Sequence, residues 1–195
     1  MDVIQLFRDH GALLEGHFQL SSGLHSSRYL QSALVLQHPE TASILGVRLA
    51  ERIREYATPL NFVISPALGG VIIGHEVARA LRVPFLFAER EQARFALRRG
   101  FQVKAGTHCV VVEDVVTTGG SSQEVIDLVA SCDAVPLATG CIFDRSGGAA
   151  SLLYRKRPLP LICLAQLQIP TYPPESCPLC RSGSAATKPG SRPAC

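Results

Sequence analysis

Apolar positions change their spacing several times along the chain, and each change marks an element. Val3, Ile4, Phe7, Leu13 and Leu14 recur at helical spacing, which predicts an amphipathic helix over residues 2 to about 14, interrupted near Gly11. His17 to Leu20 and Arg28 to Gln31 read as two short strands joined by the turn Ser21-Ser22-Gly23, a β-hairpin. Helical period resumes after Pro39, a residue suited to a first helical turn, and runs to about Tyr56. The pattern then alternates. Phe62 to Ser65 is a strand, PALGG a tight glycine turn, Val71 to Leu81 a helix and Pro84 to Ala88 a second strand. Cys109 to Glu113 is a third strand, Ser122 to Ala130 a helix, Val135 to Phe143 a fourth strand and Leu159 to Leu164 a fifth. Apolar strands alternating with helices predict an α/β fold, a doubly wound, mainly parallel five-stranded sheet covered on both faces. Ligands of such sheets bind at the carboxyl ends of the strands. SPALGG, the 89–100 segment, EDVVTTGG and DRSGG all fall there.

Two stretches depart from the alternation. Residues 89–104, EREQARFALRRGFQVK, carry Arg90, Arg94, Arg98, Arg99 and Lys104, and a long basic connection inside a compact domain reads as an active-site lid. From Pro170 the chain is rich in Pro, Ser and Gly, which predicts an irregular tail over 170–195 behind a single domain over 1–169. Within that tail CPLC, Cys177 to Cys180, is half of a zinc-ribbon spacing. No second CxxC or Cys/His pair accompanies it in the sequence, so no metal ligands are assigned. The pair does not open a helix after a strand either, which argues against a redox motif.

Composition narrows the class. A chain of 195 residues is long enough for one α/β domain, and 47% hydrophobic with 18% charged residues describes a compact soluble protein. A net charge of +3 is too weak to point to nucleic acid. No apolar run approaches the ~20 residues of a membrane helix, and MDVIQLFRDH lacks the basic start of a secretory signal. Seven cysteines, with Cys109, Cys132, Cys141 and Cys163 in apolar surroundings, fit small core residues of a reducing compartment, with the cytoplasm as the expected location.

The candidate chemistry is concentrated in VVVEDVVTTGGSS, residues 110–122. Val110 to Val112 form a strand of the doubly buried kind, Glu113 and Asp114 end it with adjacent carboxylates, and Thr117 to Ser122 lead into a helix. Backbone N–H groups at a helix start favour an anion, and the threonine and serine hydroxyls add donors. The acid pair cannot hold that anion, but it can accept hydrogen bonds from sugar hydroxyls or support a divalent cation. A phosphate cradle beside two carboxylates reads as a site for a phosphorylated sugar.

This stretch closely resembles the phosphoribosyl-pyrophosphate motif of type I phosphoribosyltransferases. GHFQLSSGLHSSRYLQ resembles the N-terminal segment of the orotate phosphoribosyltransferases, where a hairpin and hood (here residues 1–35) cover the base. CIFDRSGG resembles their Asp-Arg segment after the fourth strand, and IPTYPPESCPLC and KPGSR resemble the ends of the longer bacterial members. The resemblance implies orotate phosphoribosyl transfer with Mg2+ as cofactor, in a homodimer, with neither nucleic acid nor membrane as partner. It implies that Glu113, Asp114, Val115, Val116, Thr117, Thr118, Gly119, Gly120 and Ser121, with Arg90 and Arg94 of the lid, bind phosphoribosyl pyrophosphate. Glu113, Asp114 and Arg90 are then catalytic, and Thr117 and Arg145 meet orotate. Arg145 suits that role, since a planar guanidinium holds a carboxylate bidentately.

Some family positions differ. Ser21 stands at the hairpin position of an orotate-contacting lysine, Gly69 replaces the lysine of the common P-A-Y-K-G loop, and Glu89-Arg90 align with the Arg-Lys pair that opens the lid. The alternatives are a phosphoribosyltransferase for another base, such as xanthine or adenine, and a non-catalytic regulator that binds phosphoribosyl pyrophosphate.

Overall fold

The structure is a computed structural model and describes residues 2–20, 22–150 and 152–189. Ser21, and the end of the tail with Cys195, lie outside the described residues. In chain order the elements are α1 (Val3–Asp9), β1 (Leu13–Gln19), β2 (His25–Leu30), α2 (Ala33–Leu36), α3 (Pro39–Tyr56), β3 (Phe62–Pro66) and α4 (Gly69–Leu81). There follow β4 (Phe85–Glu91), β5 (Arg94–Leu97), β6 (His108–Val116), α5 (Gly120–Ser131) and β7 (Val135–Asp144). The last are β8 (Leu153–Tyr154), β9 (Arg157–Pro158), β10 (Leu161–Gln166), β11 (Thr171–Tyr172), a 3-10 turn (Pro174–Ser176) and α6 (Pro178–Arg181). The chain forms two compact units, residues 36–167 and residues 1–35 with 168–195.

The larger unit holds a six-stranded sheet in the order β10-β7-β6-β3-β4-β5. Five strands are parallel, and β5 runs antiparallel to β4 at the edge. The fold is therefore α/β and mainly parallel, as the alternation predicts, with one strand more than the expected five. The extra strand comes from the basic connection, where Ala88 to Glu91 pair with Leu97 to Arg94. Its charged, short sequence hides a period-two pattern, and only Phe95 on β5 is buried. Helices pack on both faces. Val125, Ile126 and Val129 of α5 meet Ile64 of β3 and Val111 of β6. Alternation sends Val63 and Val110, both fully buried, to the face of α3 and α4. Gly140 of β7 lets α3 approach closely, since a Cβ there would sit 2.9 Å from Ile53 Cδ1. Cys109 and Cys141 are buried in this core, and burial pushes the Cys109 thiol up to about 12 and the Cys141 thiol well above its usual range.

The smaller unit departs more from the sequence reading. The first helix ends at Asp9, because Gly11 takes a left-handed conformation (φ 61°), and Leu13 and Leu14 belong to β1 instead. Both hairpin strands are longer than expected, Leu13 pairing with Leu30 and Gln19 with His25. The segment after Pro170, expected to be irregular, adds β11 to β2 through Thr171↔Ser26 and Tyr172↔His25. Further on, Thr187 exchanges backbone hydrogen bonds with the β1 strand, to the His17 carbonyl and from the Gln19 amide, both 2.8 Å. A local composition of Pro, Ser and Gly gives no sign of these partners, which are over 140 residues away in the chain. His17 and His25 thereby meet Cys177 and Cys180, so the hairpin supplies the His pair that the sequence around CPLC lacks.

Candidate active site

In the parallel part of the sheet the chain steps from β3 to β4 on one side and then crosses back to β6 on the other. The order reverses between β3 and β6, and the crevice above their carboxyl ends is the position at which such sheets bind ligands. Three of the segments singled out in the sequence converge around it.

The turn after β3 runs through Pro66-Ala67-Leu68, with a cis Ala67–Leu68 peptide, into α4 at Gly69. Here the glycines allow a close approach, and at Gly70 the obstacle is backbone. A Cβ on Gly69 would sit 2.6 Å from Asp114 Oδ1, and one on Gly70 would sit 2.8 Å from the Val112 carbonyl oxygen. The start of α4 thus abuts the end of β6, and the Asp114 carboxylate lies at a helix N-terminus, where the dipole favours negative charge.

Glu113 points to different surroundings. Its Oε2 accepts a 2.5 Å hydrogen bond from Ser122 Oγ, itself fully buried in the first turn of α5. Burial raises the Glu113 carboxyl from its usual 4.5 to about 7; the Ser122 hydroxyl opposes the rise, and the charge of Asp114 adds to it. Two adjacent carboxylates therefore differ in kind: one at a helix start, one half-buried and able to take a proton near neutral pH.

Beyond the acid pair, Val115 and Val116 continue β6, and Thr117 and Thr118 are exposed. Gly119 adopts a left-handed conformation (φ 82°) and starts α5 without a side-chain cap on its N-cap position. A Cβ at Gly119 would also sit 3.0 Å from Leu152 Cδ2. The N–H groups at Gly120 and Ser121 thus open the helix, and Thr118 Oγ1 lies 3.4 Å from the Gly120 nitrogen. This is an anion-binding geometry.

Arg145 reaches the same place from β7. Val116 pairs with Asp144, and the Arg145 N–H donates to the Val116 carbonyl at 2.8 Å. Asp144 is buried and serves the turn that follows, accepting from Ser146 N (2.7 Å), Ser146 Oγ (2.5 Å) and Gly148 N (3.2 Å). Residues 113–121 and 145 therefore form one continuous rim.

The lid arginines are held differently. Arg90 makes a bidentate pair with Glu124 of α5, both bonds 3.0 Å, donates to the Ala93 carbonyl at 2.8 Å and stacks over the Phe95 ring at 4.2 Å. Arg99 makes a bidentate pair with Glu89, both bonds 2.8 Å, and its hydrogen bonds hold the Glu89 carboxyl below the usual carboxylate range. Arg94 and Arg98 are exposed. The sequence marks Ser122 only as a loop hydroxyl, not as the partner of Glu113, and gives Glu124 no role. An acid in the second turn of a helix whose start suits an anion was the available signal for Glu124, since it calls for a cationic neighbour.

Comparisons with known proteins agree with this arrangement. The phosphoribosyl transferase domain family matches residues 33–156. The chain is 49% identical over 192 residues to an orotate phosphoribosyltransferase of Carboxydothermus hydrogenoformans, covering 98% of both chains. It is 48% identical to that of Thermotoga maritima, covering 97% of this chain and 98% of the relative. The crystal structure of orotate phosphoribosyltransferase from Aeropyrum pernix is similar with a TM-score of 0.73 at 28% identity, covering 85% of this chain and 94% of that one. With its sheet order, its acid pair and phosphate-type loop at the switch point, and relatives matched along nearly their whole length, the chain belongs to the orotate phosphoribosyltransferase family of phosphoribosyl transferase domains.

Proposed function

We propose that this chain transfers ribose 5-phosphate from phosphoribosyl pyrophosphate to orotate, giving orotidine 5′-phosphate and pyrophosphate, a step of pyrimidine nucleotide synthesis. The carrying observation is the rim at the ends of β6 and β7, where the acid pair, the donor-rich start of α5 and Arg145 lie side by side. The names and coverage of the full-length relatives support orotate as the base.

In this reading the N–H groups and hydroxyls of Thr117 to Ser121 hold the 5-phosphate, behind Val115 and Val116. Glu113 and Asp114 accept hydrogen bonds from the ribose hydroxyls and stabilise positive charge developing at the anomeric carbon. That charge also favours the ionised form of Glu113, whose carboxyl burial otherwise holds near pH 7. Thr117 and Arg145 meet orotate, Arg145 through its carboxylate. Arg90 and Arg94 neutralise the leaving pyrophosphate, Arg90 exchanging Glu124 for it. Positioning and electrostatics supply the rate, with no covalent nucleophile.

Asp114, beside the start of α4, would offer Mg2+ a hard carboxylate oxygen, and an ion that takes few direct protein ligands and keeps much of its water fits the donors present. Magnesium, when bound, supplies charge neutralisation for the pyrophosphate. The family resemblance supports a cytoplasmic homodimer in which the 89–104 segment reaches the partner's site.

The test is the orotate absorbance change with sugar donor and magnesium. Turnover with orotate, and none with xanthine or adenine, is the expected result. Turnover with another base alone would replace the substrate, and donor binding without turnover for any base would replace the enzyme by a regulator.

A further inference from the structure

The smaller unit contains a cluster that phosphoribosyl transfer does not use. His17 and His25 lie on the two strands of the hairpin, and Cys177 and Cys180 at the start of α6 face them. One ligand-capable atom from each of the four lies within 4.8 Å of every other. His17, His25 and Cys177 are buried, and Cys180 lies at the surface.

Three features point to a shared ion. The first is distance. A tetrahedral zinc with ordinary bond lengths separates its ligands by roughly 3.3 Å between nitrogens and roughly 3.5 Å between nitrogen and sulfur. Here His17 Nε2 is 2.9 Å from His25 Nδ1, Cys177 Sγ is 3.5 Å and Cys180 Sγ 3.7 Å from His17 Nε2, and Cys180 Sγ is 3.2 Å from His25 Nδ1. The second is tautomer. His17 Nδ1 lies 2.9 Å from the Ser184 carbonyl, which can only accept, so Nδ1 carries a proton and Nε2 is the nitrogen turned to the cluster. The third is need. In residues 170–189, Cys177 is the buried apolar residue among the described ones, and most of the rest of the segment is exposed. A strand of two residues and the Thr187 contacts are a slight hold on a segment this long.

We propose that His17 Nε2, His25 Nδ1, Cys177 Sγ and Cys180 Sγ bind one Zn2+, a closed structural site that fastens the C-terminal segment to the N-terminal hairpin. Two imidazoles and two thiols gathered within 4.8 Å of one another are the donor set of structural zinc, and four protein ligands leave no open position for catalysis. The thiols bind as thiolates, and their protons go to solvent.

The test uses the full-length chain, kept reduced, loaded with Zn2+ and freed of excess metal. One zinc per chain by elemental analysis is the expected result, and replacement by Co2+ gives the intense visible bands of tetrahedral cobalt with thiolate-to-metal charge transfer. Cys180→Ser and His25→Ala each lower the retained zinc about tenfold or more, and a chelator speeds tryptic cleavage at Arg181 by a similar factor. The cobalt spectrum needs no variant, so a substitution that fails to fold does not blunt the test. Retention of less than about a tenth of an equivalent by the reduced wild-type chain, with octahedral cobalt, overturns the proposal. So does zinc that stays bound in both variants, or a Cys177–Cys180 disulfide as the form that holds the segment in place.

Discussion

Glu113→Gln separates what the acid does for the reaction from what it costs the fold. The raised carboxyl has a defined sign. A group whose folded value lies above its unfolded value stabilises the protein below the unfolded value and loses that contribution as pH rises through the folded one. For Glu113 the window runs from 4.5 to about 7, so the ionised carboxylate is a net burden on the fold above neutrality. At roughly 1.4 kcal/mol for each tenfold change in proton affinity, the burden is about 3 kcal/mol near pH 8 and under about 1 kcal/mol near pH 5. Glu113 is only half-buried, and solvent screening reduces the first figure to roughly 1–2 kcal/mol. Glutamine keeps an acceptor for Ser122 Oγ and never ionises. The variant therefore melts higher than the wild type by about 2–8 °C near pH 8, and by much less near pH 5. Thermal unfolding at both values, without magnesium or substrates, reads this directly, while turnover falls. A variant no more stable than the wild type near pH 8, or an equal difference at both values, would refute the reasoning that burial raises this carboxyl.

Other perturbations follow from the same geometry. Asp114→Asn is expected to cut kcat by about two orders of magnitude or more while leaving the melting temperature within a few degrees, because the exchange removes charge and preserves shape; steady-state rates and a melt check it. Arg145→Ala is expected to raise KM for orotate at least about tenfold and that for the sugar donor far less, as befits the loss of a bidentate carboxylate contact. Gly119→Ala forces a side chain into a left-handed conformation and to 3.0 Å from Leu152 Cδ2, and is expected to cost about 1–2 kcal/mol in denaturant unfolding and to weaken donor binding through the displaced loop.

The parts of the molecule legible in the sequence are those whose causes are local. Val110 to Val112, the acid pair and the small-residue loop announce strand and helix start within thirteen residues, and the structure keeps that order, although β6 runs on past the acid pair to Val116 because Val115 and Val116 still pair with β7. Arg145 is legible through the resemblance of CIFDRSGG to the family's Asp-Arg segment, and its place just after a strand puts it at the carboxyl end of the sheet with the acid pair. What was hidden depends on partners distant in the chain. The edge strand at Arg94 to Leu97 exists because Ala88 to Glu91 offer it a ladder, and its charges mask the pattern. Glu124 gains its meaning from Arg90, thirty-four residues earlier. The pairing of His17 and His25 with Cys177 and Cys180 spans up to 163 residues, and no spacing rule reaches that far.

The altered lysine positions can be weighed in the same physical terms. Gly69 stands where the family loop carries a lysine, and Asp114 Oδ1 occupies the space a side chain would need. A side chain at this position would require the Asp114 carboxylate to turn aside. Positive potential for a pyrophosphate must come from elsewhere, and two sources are at hand: the N-terminus of α4 and the arginines of the β4–β5 hairpin. Arg90 and Arg99 are occupied by Glu124 and Glu89; the Arg90 pair is solvent-exposed, and in the other Arg99 is exposed while Glu89 is half-buried. Exposed pairs contribute little net stability, so exchanging a carboxylate for the higher charge of a pyrophosphate costs little and gains stronger attraction. Under the proposed function, Arg90 is held beside α5 by Glu124 in the free protein and would pass to the leaving group, supplying the charge that Gly69 does not carry.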